Sequence, residues 1–308
     1  MRSSQFISLF VFLFLLSACT QNKGKEYNLY FLGGQSNMEG YGYVSELSDD
    51  LNKPLEGTYI FHGNSSADDY PPDGKGTWAV LRPGHGGGFA FDGYDNKYSE
   101  RFGCELSFAQ KMNELDPAAN IAILKYARGG SSIDAEAARD FGSWDPGYLE
   151  GNGINQYDHF LASLENALAI KDIDGDGYDD KLIPSGIIWM QGEGDADVNE
   201  EIAGRYYKNL SELMQLIREA FGVPDIPVVI GRISESGDDP SGIVWEYGDI
   251  VRRAQHQFVN DDSDASIVTG TDTYSYSDPW HYDSEGFLDM GIQFAVRIDS
   301  LRKRQVSF

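Results

Sequence analysis

Four short, polar, glycine-rich stretches each follow an apolar run, and between them they hold the groups that nucleophilic acyl chemistry needs. Gly34-Gln35-Ser36-Asn37-Met38 carries a serine. Ala127-Arg128-Gly129-Gly130-Ser131 and Gln191-Gly192-Glu193-Gly194-Asp195 carry N–H donors and carboxylates. Asp278-Pro279-Trp280-His281 places a carboxylate three residues before an imidazole. A serine hydroxyl is a weak nucleophile and needs a base, and imidazole is the side chain whose charge changes near neutral pH. Of the five histidines (His62, His85, His159, His256 and His281), only His281 has a carboxylate three residues before it. One turn of chain can set Asp278 against the ring and fix its tautomer. Such a base works when neutral, so the rate should rise with pH through about 6.5. Alone, a D-x-x-H or a GQSN says little. The specificity lies in the set, in this order, each member after a strand.

The elements that must position these turns are legible as patterns. Residues 28–33 (NLYFLG), 121–126 (IAILKY), 185–190 (SGIIWM), 226–233 (IPVVIGRI) and 265–269 (ASIVT) are continuous apolar runs. That continuity marks strands covered on both faces. Helical spacing lies between most of them: Leu106, Ala109, Met112 and Leu115; Leu161, Leu164 and Leu168; Leu210, Leu213, Met214 and Ile217; a fourth segment at 245–259; and Phe287, Met290, Phe294 and Ile298 within 284–302. Alternating strand and helix predicts an α/β, doubly wound, mostly parallel five-stranded sheet flanked by helices. Ligands bind beyond the carboxyl ends of the strands in such sheets, which places all four turns on one rim. The link between the first two strands is long, and residues 51–99 are rich in Gly, Pro, Asp and Tyr. They read as a surface insertion.

Taken together, GQSNM at 34–38, Gly129-Gly130-Ser131, Trp189-Met190-Gln191-Gly192-Glu193 and Asp278-x-x-His281 resemble the sialate O-acetylesterase and acetylxylan esterase branch of the SGNH hydrolases, over residues 27 to about 300. The resemblance implies an SGNH/flavodoxin-like three-layer sandwich and a carbohydrate esterase that removes O-acetyl groups from sialic acid or acetylated plant polysaccharide, with no cofactor for catalysis. It implies Ser36 as nucleophile at the start of a helix, where N–H groups and the helix dipole favour an oxyanion. Oxyanion donors would be the N–H of Ser36, that of Gly129 or Gly130, and the side-chain amide of Gln191. His281 would be the base and Asp278 its orienting acid, with Glu193 as the competing acid or a hydrogen-bond partner. Gly194 stands where the family more often has Ser, which could loosen the third turn. A catalytically silent glycan-binding lipoprotein and a lipase or thioesterase of the same superfamily are the alternatives. The intact Ser36, His281 and Asp278 set argues against the first. The polar, aromatic insertion suits sugars better than the apolar channel the second needs. Trp78, Tyr94, Trp144 and Trp280 are expected as an aromatic rim.

Asp172-Ile173-Asp174-Gly175-Asp176-Gly177-Tyr178-Asp179-Asp180 begins like a calcium loop. Oxygens of Asp172, Asp174, Asp176, the Tyr178 carbonyl and Asp180 would converge on a structural Ca2+, with Gly177 at the sharp turn. The twelfth position is Ile183 rather than the bidentate Glu of an EF-hand. His85-Gly86-Gly87-Gly88 looks like a lipase oxyanion turn, but the G-x-S-x-G elbow that accompanies it is absent. It reads as a flexible insertion loop.

The chain of 308 residues is 41% hydrophobic, enough for one sizeable core, and its net charge of −25 disfavours nucleic acid and anionic surfaces. Residues 6–16 are apolar but too short to span a bilayer, and they end in Leu16-Ser17-Ala18-Cys19. This is similar to a bacterial lipobox. Residues 1–18 are then a lipoprotein signal peptide, Cys19 the lipidated residue, 19–26 a polar tether and 27–308 one domain. An exported, membrane-anchored lipoprotein facing the periplasm or the cell surface follows. Cys104 is left without a disulfide partner and is expected as a buried thiol.

Overall fold

A computed structural model describes residues 23–63, 72–149 and 155–306. The signal segment and Cys19 lie outside the described residues. Seven strands form the central sheet: β1 (Glu26–Gly34), β2 (Thr58–Phe61), β3 (Trp78–Val80), β4 (Asn120–Ala127), β5 (Lys181–Met190), β6 (Val228–Gly231) and β7 (Ala265–Val268). Their order is β7-β6-β5-β1-β4-β2-β3, parallel except where β3 runs against β2. The sheet thus has two strands more than expected. Both come from the segment read as a surface insertion, whose first strand pairs with β4 and whose second caps the edge. Residues 25–26 of the expected tether already belong to the fold: Lys25 N–H donates to Asp180 and Glu26 opens β1.

Neighbouring side chains of β1 show the layers, because successive residues of a strand face opposite ways. Tyr30 meets Phe108 of α2 (Glu105–Leu115) and Arg302 of α7 (Ser284–Val306). Phe31 meets Phe160 of α3 (Gln156–Ala169) and Phe221 of α5 (Glu200–Phe221). Between α3 and α5 lies the short α4 (Glu193–Ala196), and α6 (Gly248–Asp261) packs on α5. The core is continuous through both faces of the sheet. Helix α5 shows why these segments coil. The Asn199 side chain accepts from Ile202 N–H at the start, buried Ile202, Tyr206, Leu210, Leu213 and Ile217 recur on one face, and Gly222 closes it at φ +69°.

Cys104 is fully buried just before α2, and burial pushes its thiol up to about 12. It behaves as a small apolar side chain. No helix of the described residues is long and apolar enough to cross a membrane.

Candidate active site

The order of the strands puts a switch point at β1, with β4 on one side and β5 on the other, which is where open α/β sheets form their crevice. Register makes the three strands end level, since Gly34 pairs with both Ala127 and Met190. The turns after them therefore begin at one height. Gln35 N–H donates to Met190 O at 2.9 Å and Arg128 N–H to Gly34 O at 3.1 Å. Gly34 permits this crossing: its φ is +144°, and a Cβ there would lie 2.0 Å from Met190 O.

Ser36 opens α1, a single turn of four residues (Ser36–Glu39). A helix this short has little dipole, so the expected helix field reduces to the local N–H groups. Below it, Lys125 is wholly buried and donates to Glu105 (2.7 Å), Glu39 O (2.8 Å) and His85 O (2.8 Å). The turn from His85 to Gly88 is accordingly packed rather than loose. Gly86 N–H donates to Arg101 O and Gly87 N–H to Gly40 O, and the His85 ring is buried beside His62 and Phe89.

A cleft of about 450 Å3 opens over these turns, lined by Gln35, Ser36, Tyr41, Arg128, Gly129, Gly130, Arg139, Phe141, Gly194, Asp197, Trp245, Trp280 and His281. Ser36 lies against Gly129, where a Cβ would be 3.4 Å from its own. Asp278 Oδ2 is 2.7 Å from His281 Nδ1, and Asp278 Oδ1 accepts from the N–H of Trp280 and His281, each at 2.8 Å. Partial burial pushes the Asp278 carboxyl up, but the His281 ring and these two N–H groups outweigh it and hold it below its ordinary range. It stays ionised wherever His281 can act as a base. The Tyr41 ring stacks on His281 with centroids 3.8 Å apart and planes 3° from parallel. Arg101 secures Tyr41 through its carbonyl and lies over the Tyr43 ring.

The predicted oxyanion donors divide. No described residue accepts from the N–H of Ser36 or of Gly130, which leaves both for a ligand. Gly129 N–H is taken by Glu39 Oε2 at 2.9 Å. The Gln191 amide is buried below the cleft and is not among its lining residues. Its Nε2 donates to Asp195 (2.7 Å), Ser131 O and Gln35 Oε1. Gln35 takes its place at the surface. Its Oε1 already accepts from Gln191, Gly192 N–H and Gly194 N–H, so its Nε2 is the end left for the cleft. Gly194 tightens rather than loosens the third turn, because a Cβ there would lie 2.6 Å from Ser131 O.

Glu193 does not reach His281. Its Oε1 accepts from Asn37 Nδ2 at 2.9 Å, and burial pushes its carboxyl up to about 7. Of the expected aromatic rim, only Trp280 lines the cleft. Trp78 and Trp144 are core residues whose indole N–H groups donate to Ala167 O and Ser131 Oγ, and Tyr94 is exposed elsewhere. Tyr41, Phe141 and Trp245 supply the other rings. Spacing alone did not mark them, although all three lie in or beside loops that follow strands.

In the acidic loop, carboxylate oxygens of Asp172, Asp174 and Asp176 lie within 4.8 Å of one another. Asp180 is turned away: it accepts from Lys25 N–H (2.7 Å) and Ile173 N–H (3.0 Å). The Lys25 ammonium bridges Asp174 and Asp176, and Asp172 accepts from the N–H groups of Gly175, Asp176 and Gly177.

Residues 26–300 match the family model described as carbohydrate esterase, sialic acid-specific acetylesterase. The class is thereby defined: this is a carboxylic ester hydrolase, a carbohydrate O-acetyl esterase. The chain belongs to the sialic acid-specific acetylesterase family of carbohydrate esterases. Its fold is similar to that of a protein from Arabidopsis thaliana (TM-score 0.62, 19% identity, covering 90% of this chain and 98% of that one). It is similar also to a carbohydrate acetylesterase from Xanthomonas citri (0.59, 17%, 90% and 57%) and to NanS (0.55, 15%, 92% and 99%). The chain therefore spans little more than half the length of the Xanthomonas protein. These likenesses establish the fold. No curated protein matches the sequence.

Proposed function

We propose that the protein is a serine esterase that removes acetyl groups from the hydroxyls of sialic acid or of an acetylated plant polysaccharide. Ser36 attacks the acetyl carbon while His281 takes the serine proton and gives it to the leaving sugar oxygen. Water, deprotonated by the same His281, then attacks the acetyl-serine. Acetate leaves, the proton returns to Ser36, and Asp278 holds the imidazole throughout. The N–H groups of Ser36 and Gly130 and the Gln35 amide receive the oxyanion. The observation that carries this reading is that Ser36 and His281 share one cleft while Asp278 lies 2.7 Å from the far nitrogen of His281. The lining favours a sugar over a long acyl chain. Phe141, Trp245 and Trp280 offer ring faces, while Arg128, Arg139 and Asp197 offer polar contacts around them. The test offers O-acetyl sialic acid, acetylated xylan and p-nitrophenyl esters of increasing chain length. Acetate release from at least one sugar is expected, with rates that fall as the acyl chain lengthens. Faster turnover of the longest ester would favour the lipase alternative.

The N-terminal reading forms part of the same proposal. With Cys19 lipidated, the protein is held at a membrane outside the cytoplasm, where polymeric glycans are met. Native-host protein should partition into detergent, and Cys19→Ala should be recovered in the aqueous phase. Aqueous wild-type protein refutes the anchor.

The acidic loop supports a smaller proposal, a structural Ca2+ held by Asp172, Asp174 and Asp176 with the Tyr178 carbonyl. Three carboxylates drawn this close repel one another unless a cation stands between them. Lys25 already supplies one positive charge, and an entering ion displaces it. Extracellular loops of this kind bind at about 10^-4 to 10^-3 M. Binding to the folded state alone stabilises it by about 2.7 kcal/mol at a hundredfold excess over Kd. Millimolar calcium should raise the melting temperature of chelated protein, and Asp174→Ala should not respond. An unchanged melting temperature discards the site and leaves Lys25 as the loop's counter-charge.

A further inference from the structure

Asn37 follows Ser36 directly, and its side chain reaches across to the chain around His281. Its Nδ2 donates to Trp280 O at 3.1 Å, and its Oδ1 accepts from Tyr282 N–H at 3.3 Å. One amide thus holds the backbone on both sides of the imidazole. The other hydrogen of Nδ2 goes to Glu193 Oε1 at 2.9 Å. Glu193 stands on the turn after β5, so three of the four turns around the cleft meet at this amide. Asn37 and Glu193 are 2% and 1% exposed, and neither lines the cleft. Glu193 Oε2 has no partner among the described residues. A buried carboxylate oxygen left unpaired is costly, and so points to a use for the group that bears it.

Asp278 cannot supply what this amide supplies. It lies three residues from His281 on the same loop, so its bond orients the ring within the loop and leaves the loop free relative to Ser36. Ser236 Oγ donates to Pro279 O, and Ser234 Oγ bonds the Tyr282 hydroxyl; both tie the loop to the segment after β6. Tyr41 covers one face of the ring without fixing its height. Among the described residues, Asn37 bonds the chain on both sides of His281 directly to the residue next to Ser36, whereas the Tyr43 N–H bond to Ser284 Oγ joins the two segments farther from both groups. Resting on the reading of Ser36 and His281 as nucleophile and base, we propose that Asn37, anchored by Glu193, is the positioning residue that sets the distance between them.

The decisive variant is Asn37→Asp. It keeps the size and the acceptor for Tyr282 N–H, loses both donated bonds, and sets a second carboxylate against Glu193. With p-nitrophenyl acetate, kcat should fall by about 10^2-fold, the cost of a misplaced catalytic group, while KM stays within about twofold. Adding Glu193→Gln provides an amide that donates to the new carboxylate, and should recover at least about tenfold in kcat. Asn37→Ala and Glu193→Ala should both lower kcat, the first by removing the bridging amide and the second by removing its anchor. A folded Asn37→Asp or Asn37→Ala protein with unchanged kcat overturns the proposal. So does a double variant that regains the melting temperature but not the rate, since Asn37 would then be structural only. Ser36→Ala in the same series separates the two levels. If it stays active, the nucleophile reading falls. If it is inactive while Asn37→Ala is fully active, only the positioning role falls.

Discussion

Replacing Ser36 by alanine is expected to lower kcat on an acetyl ester by about 10^6-fold, the scale seen when a hydrolase nucleophile is removed. Among the described residues, two hydroxyls line the cleft, those of Ser36 and Tyr41. Burial pushes the Tyr41 hydroxyl up to about 12, so it offers almost no phenolate at neutral pH and cannot stand in for the serine. Tyr41 is also committed to the face of His281. What survives in Ser36→Ala should be the slow attack of water held near the remaining N–H donors. Substrate binding should change little, because the cleft keeps its shape. Full acetate release by a folded Ser36→Ala protein would end the assignment.

The second large effect is that of Asp278. Asp278→Ala should cost about 10^3 to 10^4 in kcat, as loss of the orienting carboxylate does in other triads. Without it, the proton on His281 Nδ1 has no acceptor in the described protein, and the tautomer that presents a bare Nε2 to Ser36 loses its support. Asp278→Asn should cost about as much, since an amide donates where the carboxylate accepts. Glu193→Ala should cost less than either, because Glu193 bonds Asn37 and acts on His281 only through it. A larger loss for Glu193→Ala than for Asp278→Ala would exchange the two roles. The Asp278 carboxyl is held below its ordinary range in the fold, so its ionic bond to the loop stabilises the protein above the ordinary carboxylate range. That contribution is lost as the pH falls through the depressed value.

Much of this architecture was legible because parallel strands buried on both faces must be continuous apolar runs, and five such runs stand out. Strands β2 and β3 escaped because they are only four and three residues long and sit among Gly, Pro and Asp. Trp78 reads as a rim residue for the same reason: nothing in the sequence tells that its strand caps the sheet. That Ser36 and His281 would meet in one cleft, with Asp278 against the ring, could be read from residue type and order. The choice between Gln35 and Gln191 could not. Both are amides in glycine-rich turns, and only the level ends of β1 and β5 decide which lies over the other. Asn37 stands inside a motif whose chemistry points to its serine, and nothing in the sequence singles it out. Its partners lie 156 and 243 residues away along the chain. Asp180 fits the spacing of an ion ligand, but Ile173 N–H of its own loop claims one of its oxygens and Lys25 N–H the other.

The level ends of β1, β4 and β5 separate two kinds of inheritance. Ser36 and the N–H groups around it hang from hydrogen-bonded strands in the middle of the sheet, where any shift must move the core. Asp278 and His281 stand on the loop beyond the edge strand β7 and are tied to that centre through Asn37. The other rings and charges that line the cleft, Arg139, Phe141, Asp197 and Trp245, stand farther along the connecting loops. Those loops can lengthen, shorten or exchange aromatic for charged residues without disturbing the strand ends. A lineage built this way retains one reaction through long divergence while its substrates change, because the geometry of acyl transfer is written in the interior and the identity of the glycan in the periphery.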